Sequence, residues 1–468
     1  MSETAAQAVS ASAHAPASAD PPNPTAPASA DPPPSVPARA SAPAPATQAP
    51  PAPRAAPASE TPPPERSATF RDVFGDREFR AIWLAEFASI AGDQFARVAL
   101  TVVVFQRTGS PLLTALTYAT TYLPWLIGGL FLSDLADRFP RRTVMIAADV
   151  TRMLLVAAMA VPGMPLWGMV VLLFVVASLN APFQGARSAL RAAIMPDDRY
   201  TLGLAASQVT REIGVVGGFV GGGVIVSVLG ARPALLIDAG TFAVSALLLS
   251  LAVRHRPASG RRRQSRLAEM MAGLRLVFAN RRLRALMLLG WLCAFYTVPE
   301  ALAVPYAAQL RHGSVAAGLI FAAGPLGSAV GMMVFTRTVR PAERLRWMGP
   351  MAVAASLILA TCLARPNLAL LLVIVTASGL LAAYQIAANS AFVLASPDDR
   401  RGQAYAIANG GMNLGQGLVY VLAGAAASAV APAVVVAGSG LVGAALALWL
   451  VLSWRRDSPA AAGTGVSV

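Results

Sequence analysis

Glu86, Asp93, Arg97, Asp149, Arg152 and Glu300 all sit inside long apolar stretches of this chain. A charge at the centre of a bilayer costs about 2.5–3.5 kcal/mol on insertion scales, so such residues mark ion pairs, proton relays or ligand contacts. Asp93 and Arg97 are four apart on one helical face, a spacing that allows an ion pair. Asp149 and Arg152, three apart, allow another. Both pairs read as structural or switching salt bridges. Glu86 lies one heptad before Asp93 on the same face, and Asp238 falls near the beginning, the outer end, of its own run. Glu300 is different. In "FYTVPEALAVPY" no basic residue stands three or four positions away, and Pro299 and Pro305 predict a broken helix with freed carbonyls. Trp291, Phe295 and Tyr296 precede it by one or two turns. An unpaired carboxyl at such a place can exchange protons, or it can hydrogen-bond to another helix; the residues leave both readings open.

The elements that carry these residues follow from composition. The chain is 56% hydrophobic and only 13% charged, with a mean hydropathy of +0.57. Soluble domains are nearer 25% charged, so the class is a multi-span membrane protein. A span needs about 20 residues to cross about 30 Å of hydrocarbon. Twelve runs of that kind cover 80–105, 111–132, 143–162, 166–188, 203–229, 233–253, 285–310, 314–336, 347–364, 367–394, 403–430 and 432–454. Before them, residues 1–68 hold 18 of the 36 prolines and no Leu, Ile, Phe, Trp or Tyr. That segment cannot bury enough apolar area to offset its ordering entropy and reads as a disordered tail without a secretory h-region.

The runs are duplicated. "AAIMPDDR" (192–199) returns 201 residues later as "VLASPDDR" (393–400). In the same register Phe183 and Gln184 match Tyr384 and Gln385, and Gly214 matches Gly415. The expected fold is therefore all-α, twelve transmembrane helices in two pseudo-symmetric six-helix bundles, 69–253 and 285–456, joined by a loop over 254–284. The net charge of +14 is a topology signal here. That loop carries ten Arg, "DRFPRR" after the second run three, and "RTVRPAERLR" after the eighth four, while the opposite loops hold single arginines. The positive-inside rule puts both termini, including the tail over 457–468, and the central loop in the cytoplasm.

The loop after the second run, "SDLADRFPRR" (133–142), resembles the Gly-x-Leu-Ala-Asp-Arg-x-Gly-Arg-Arg signature of the major facilitator superfamily. Leu135, Ala136, Asp137, Arg138, Arg141 and Arg142 match; Ser133 and Pro140 replace the two glycines. The resemblance implies that Asp137, Arg138, Arg141 and Arg142 form a cytoplasmic conformational latch docking near Gly402 at the start of the eleventh span. The duplicated Asp-Asp-Arg clumps read as caps and salt bridges at the same rim. The first run, "FRAIWLAEFASIAGDQFARVAL", is similar to the first helix of the superfamily's exporter branch, the one that includes enterobactin exporters and drug/proton antiporters. "AADVTR" (147–152) and "LIDAGTF" (236–242) fit that branch too. "GGFVGG" (217–222) resembles a drug-antiporter motif but has Gly218 where that motif has Pro. Its small-xxx-small spacing reads as close helix packing.

An enzyme lacks its parts here. All 37 basic residues are Arg, so there is no phosphate-loop or Schiff-base lysine. The three His lie in the tail and loops, with no metal or Ser/His/Asp set, and Cys293 and Cys362 read as ordinary buried thiols. No cofactor is expected, a proton gradient being the energy source. The reading is a secondary active transporter of the cell membrane, a proton-coupled exporter of small amphipathic or hydrophobic compounds. Glu300, Asp93, Arg97, Asp149, Arg152 and Glu86 are its candidates for proton and substrate coupling. The expected partners are a small-molecule substrate and membrane lipid, with no nucleic acid, and the expected state is a monomer. An importer of the same fold, or a membrane sensor or scaffold, are the alternatives.

Overall fold

The computed structural model describes residues 69–124, 138–195, 198–257 and 266–457. The Ala/Pro-rich tail, Asp137, the Pro-Asp of the first Asp-Asp-Arg clump, part of the central loop and the last residues lie outside them. The described residues belong to one compact unit. Among the described residues all regular structure is helical.

Eight of these helices are long and apolar enough to cross a membrane, and a bent pair, Arg281–Ala301 with Ala303–Gln309, makes a ninth. The three other predicted runs also begin or lie in helices. Arg141–Met159 and Arg401–Ala427 are 19 and 27 residues long; the second run starts as Pro111–Ala119 and continues outside the described residues. The two long ones are less apolar for a structural reason. Asp149 and Arg152 on one, and Gln416 on the other, turn to neighbouring helices and are buried, and the half-buried Asn409 and Asn413 add further polarity to the second.

Local chemistry sets the ends. Asp76 caps Arg77–Thr108 by accepting from the backbone N–H groups of Glu78 and Phe79, and Gly109, at φ 63°, closes the far end. Between Trp291 and Gln309 the chain breaks at Thr297 and Leu302 into short turns, with a 44° bend. Pro299 and Pro305 withhold the N–H groups a continuous helix would need. The break predicted around Glu300 is present.

The glycine run on Asp198–Leu229 packs against Arg77–Thr108. A methyl group on Gly218 would lie 2.9 Å from the Ala91 carbonyl oxygen, and one on Gly222 3.2 Å from Phe95 Cα. These contacts need glycine, as the packing reading requires.

The two halves of the chain meet along two seams. Asp198–Leu229 meets Ser314–Thr338 through Phe219 and Phe321, stacked 5.1 Å apart, and through Ser314 Oγ, which donates to the Gly223 carbonyl at 3.1 Å. Pro111–Ala119 meets Arg401–Ala427, where Gly424 faces Ala115 and Gly417 faces Leu123. Both seams lie toward the arginine-poor loops. On the arginine-rich side, Gly203 packs on Met195 and Phe79 of its own half and Gly349 on Val451 of its own.

The central loop contains an unforeseen element, the helix Arg266–Ala279. Val277 is buried, and Gly273 rests against Gln403 and Ile407 of Arg401–Ala427. The ten arginines of this segment dominate its composition and mask the apolar stripe.

Candidate functional site

Glu300 lies on the short turn Val298–Ala301, at the line where the halves meet, and is buried. Its Oε2 accepts a 2.8 Å hydrogen bond from the Tyr118 hydroxyl, contributed by the other half. Around this bond the Tyr118, Tyr122 and Tyr420 rings pack with centroids 5.3–5.6 Å apart, and Phe321 stands 5.3 Å from Tyr118. Tyr420 donates to Thr297 Oγ1 at 2.9 Å, and the Arg97 guanidinium sits 6.0 Å from the centre of the Tyr122 ring. The unseen helix partner left open for Glu300 is thus a tyrosine 182 positions away in sequence. None of the three tyrosines is among the candidates that the sequence singles out. Tyr118 and Tyr122, one turn apart in "TYATTYL", were the available signal: buried phenols need polar partners.

A cavity of about 260 Å³ adjoins Glu300, walled by Arg211 and Glu212 from one half and by Thr297, Ser328 and Gln385 from the other. Arg211 precedes Gly223 by 12 residues, or about 18 Å of helical rise, so the cavity lies on the arginine-rich side of the seams. Gln385 donates to the Gly290 carbonyl and to the Tyr296 hydroxyl, both at 2.9 Å. The duplicated glutamine therefore orients polar groups beside the cavity.

The remaining sequence candidates gather in the N-terminal half. Gly92 leaves no room for a side chain: a methyl group would fall 2.2 Å from Thr241 Oγ1 and 2.3 Å from Asp238 Oδ1. Ser245 Oγ donates to Asp149 at 2.6 Å, and Arg152 approaches Asp149 at 3.8 Å, donates to Asn180 Oδ1 at 3.0 Å and lies over the Phe183 and Phe242 rings. "AGDQFAR", "AADVTR" and "LIDAGTF" are therefore one buried polar cluster, built where three helices cross.

One expectation about partners changes. Asp93 and Arg97 form no ion pair among the described residues; Arg97 Nη1 donates instead to Gln94 Oε1 at 3.1 Å, and Gln94 is anchored on the Ile90 carbonyl at 2.9 Å. Asp93 faces the Asp238 side, where Gly92 brings the two helices together, and both carboxyls interact electrostatically. Glu86, one heptad before Asp93, is itself paired. It holds Arg187 at 2.8 Å and Arg191 at 2.7 Å, all three buried.

Of the signature residues, Asp137 lies outside the described residues and Arg138 is exposed. Arg141 Nη1 donates to the Ala189 carbonyl at 3.1 Å, and Arg142 donates to the Ser250 carbonyl. Both hold the ends of helices in their own half; nothing lies within 4 Å of a methyl group placed on Gly402, the implied docking point. The second Asp-Asp-Arg clump forms local pairs, Asp399 with Arg400 at 3.3 Å and Asp398 with Arg401.

Residues 82–364, well over half of the chain, match the family model of the Major Facilitator Superfamily. The chain belongs to that superfamily. This superfamily member is 24% identical over 233 residues to macrolide efflux protein A of Streptococcus pyogenes, covering 47% of this chain and 56% of that protein. It is 29% identical over 222 residues to the multidrug efflux pump Tap of Mycobacterium tuberculosis, covering 44% of this chain and 52% of the pump. The match thus spans about half the length of these curated relatives. Solved structures align over most of the facilitator. A POT family transporter in complex with a thioalcohol-conjugated peptide has a TM-score of 0.65 at 12% identity, over 82% of this chain and 97% of that one. A bacterial homologue of the iron transporter ferroportin in its inward-facing state has a TM-score of 0.59 at 14% identity, over 81% and 99%. At such identities the likeness is one of fold. The protein is an all-helical membrane protein of this superfamily, with several helices long and apolar enough to span a bilayer.

Proposed function

We propose that this facilitator is a proton-coupled exporter of small amphipathic or hydrophobic compounds, working by alternating access from the cell membrane as a monomer. The observation that carries the reading is the Tyr118–Glu300 hydrogen bond across the junction of the halves. The bond can form only when the outer seams have closed. Proton occupancy of Glu300 and closure of that side are then linked by one free energy, and each biases the other. Glu300 is the proton-exchanging group; Arg97, over Tyr122, supplies positive charge beside it. The efflux roles named for the two relatives support export over uptake.

In this reading the two six-helix bundles 69–253 and 285–456 rock about the buried site. Both termini and the 254–284 loop are cytoplasmic, so reporters at Ser259 and Ser458 should read inside. The closed seams then make the arrangement described one that opens inward. Asp137, Arg138, Arg141 and Arg142 would brace the cytoplasmic side when it shuts, and the free surface at Gly402 fits a latch that is disengaged here. Glu86, Asp149 and Arg152 hold the N-terminal half rigid through their ion pairs, while Asp93 lies on the helix that Gly92 brings against Asp238.

The test is transport in everted membrane vesicles under an imposed pH gradient, after a screen of chemically diverse compounds for efflux. Glu300→Gln keeps volume and hydrogen bonding but not the exchangeable charge. It should retain substrate binding and lose gradient-driven transport. Full gradient-driven pumping by this variant would dismiss Glu300 as the carrier, and substrate entering cells down the proton gradient would reverse the direction.

A further inference from the structure

A second cavity, of about 730 Å³, lies in the C-terminal half, away from the junction and on the arginine-rich side. It is enclosed by the starts of Arg281–Trp291 and Arg344–Leu357 and the end of Pro432–Asp457. Its walls are the buried apolar residues Leu289, Met348, Ala391 and Leu450. Its mouth carries Arg282, Arg346 and the half-exposed Trp347, with Glu343 as its acidic residue. Neighbouring arginines are already engaged: Arg284 donates to the Phe278 carbonyl, and Arg344 to those of Val339 and Thr336. Among the described residues the Arg282 and Arg346 guanidiniums have no hydrogen bond or ion pair, and both are exposed. Leu289 lies seven residues beyond Arg282, about 10 Å deeper by helical rise. The cavity thus runs from a cationic mouth to an apolar floor along the direction of the helices.

We infer that this cavity binds an anionic phospholipid of the inner leaflet, its phosphate between Arg282 and Arg346 and an acyl chain along Leu289 and Leu450. A basic pocket between helix ends on the cytoplasmic side is the geometry that recognises acidic headgroups, and Trp at the mouth suits the interface. A soluble anion would make no use of the 10 Å of apolar wall. The inference takes the arginine-rich side as cytoplasmic, as the reading above does. Binding in detergent does not depend on sidedness, so a failure here is distinct from a failure of that topology.

The experiment is native mass spectrometry of the full-length protein with phosphatidylglycerol or phosphatidylcholine of identical acyl chains, and with glycerol phosphate as competitor. Wild type should retain phosphatidylglycerol roughly tenfold better than phosphatidylcholine, a preference on the order expected for two arginines at the headgroup level. The double variant Arg282→Gln/Arg346→Gln should lose most of this preference with an unchanged melting temperature. Arg337→Gln/Arg340→Gln, which removes two exposed arginines on the same side but outside the cavity, should keep it. A preference that survives the first pair, or falls equally with the second, overturns the site. Glycerol phosphate displacing the lipid at equal concentration would show a soluble-anion site instead.

Discussion

Gly318 and Gly223 lie backbone against backbone across the junction of the two halves. A methyl group on Gly318 would fall 2.6 Å from the Phe219 carbonyl oxygen and 2.9 Å from Gly223 Cα, and one on Gly223 would fall 2.7 Å from the Ser314 carbonyl oxygen. The obstructing atoms are main chain, which cannot rotate aside. Gly318→Leu should therefore prevent the outer seam from closing while each half still folds. Cysteines placed at the outer end of this seam should become reactive to impermeant reagents in Gly318→Leu, and transport should fall at least tenfold. Unchanged reactivity and transport would mean that closure does not require this contact.

Tyr118→Phe removes the donor to Glu300 and leaves the ring packing intact. A hydrogen bond to a charged group contributes about 1.5–3 kcal/mol, so gradient-driven transport should drop about tenfold or more at normal protein yield. A variant as active as wild type would remove the bond from the cycle.

The N-terminal half tests burial against exposure of ion pairs. Glu86→Gln strands Arg187 and Arg191 in a buried site, and breaking such a pair costs about 3–5 kcal/mol. Glu78, itself buried, pairs with Arg254, 86% exposed, and with Arg256, a third exposed; with water at both guanidiniums the pairs lie nearer the surface value of about 0–1 kcal/mol. Glu86→Gln should lower the melting temperature of the purified protein by many degrees and Glu78→Gln hardly at all. Equal shifts would contradict the burial argument.

Asp93 and Gln94 exchange the roles their types suggest. Because Gln94, not Asp93, holds the Arg97 guanidinium, Asp93→Asn should fold as wild type does. Gln94→Ala should reduce monodisperse yield, by freeing Arg97 and opening space against Gly218. Size-exclusion profiles of the two variants decide it; normal behaviour of Gln94→Ala beside aggregation of Asp93→Asn would restore the ion pair expected from spacing.

What the sequence determined by itself is whatever a single helix encodes along its own length. Run length and arginine bias mark the spans, because hydrocarbon thickness and loop charge act on each segment separately. Pro299 and Pro305 break the helix around Glu300 wherever it packs, since the missing N–H groups are local. The Gly214–Gly222 spacing marks a close helix contact for the same reason. Partner choice is another matter. In a soluble helix hydropathy shows the inward face, but lipid and protein interior are alike apolar, so a membrane helix hides which side meets its neighbours. Arg191 reaches Glu86 across 105 positions and Tyr118 reaches Glu300 across 182; no spacing rule spans such gaps. Arg97 chose Gln94 over Asp93 because Gly92 draws the first helix onto Asp238 and Thr241, and only the crossing of those two helices could decide it.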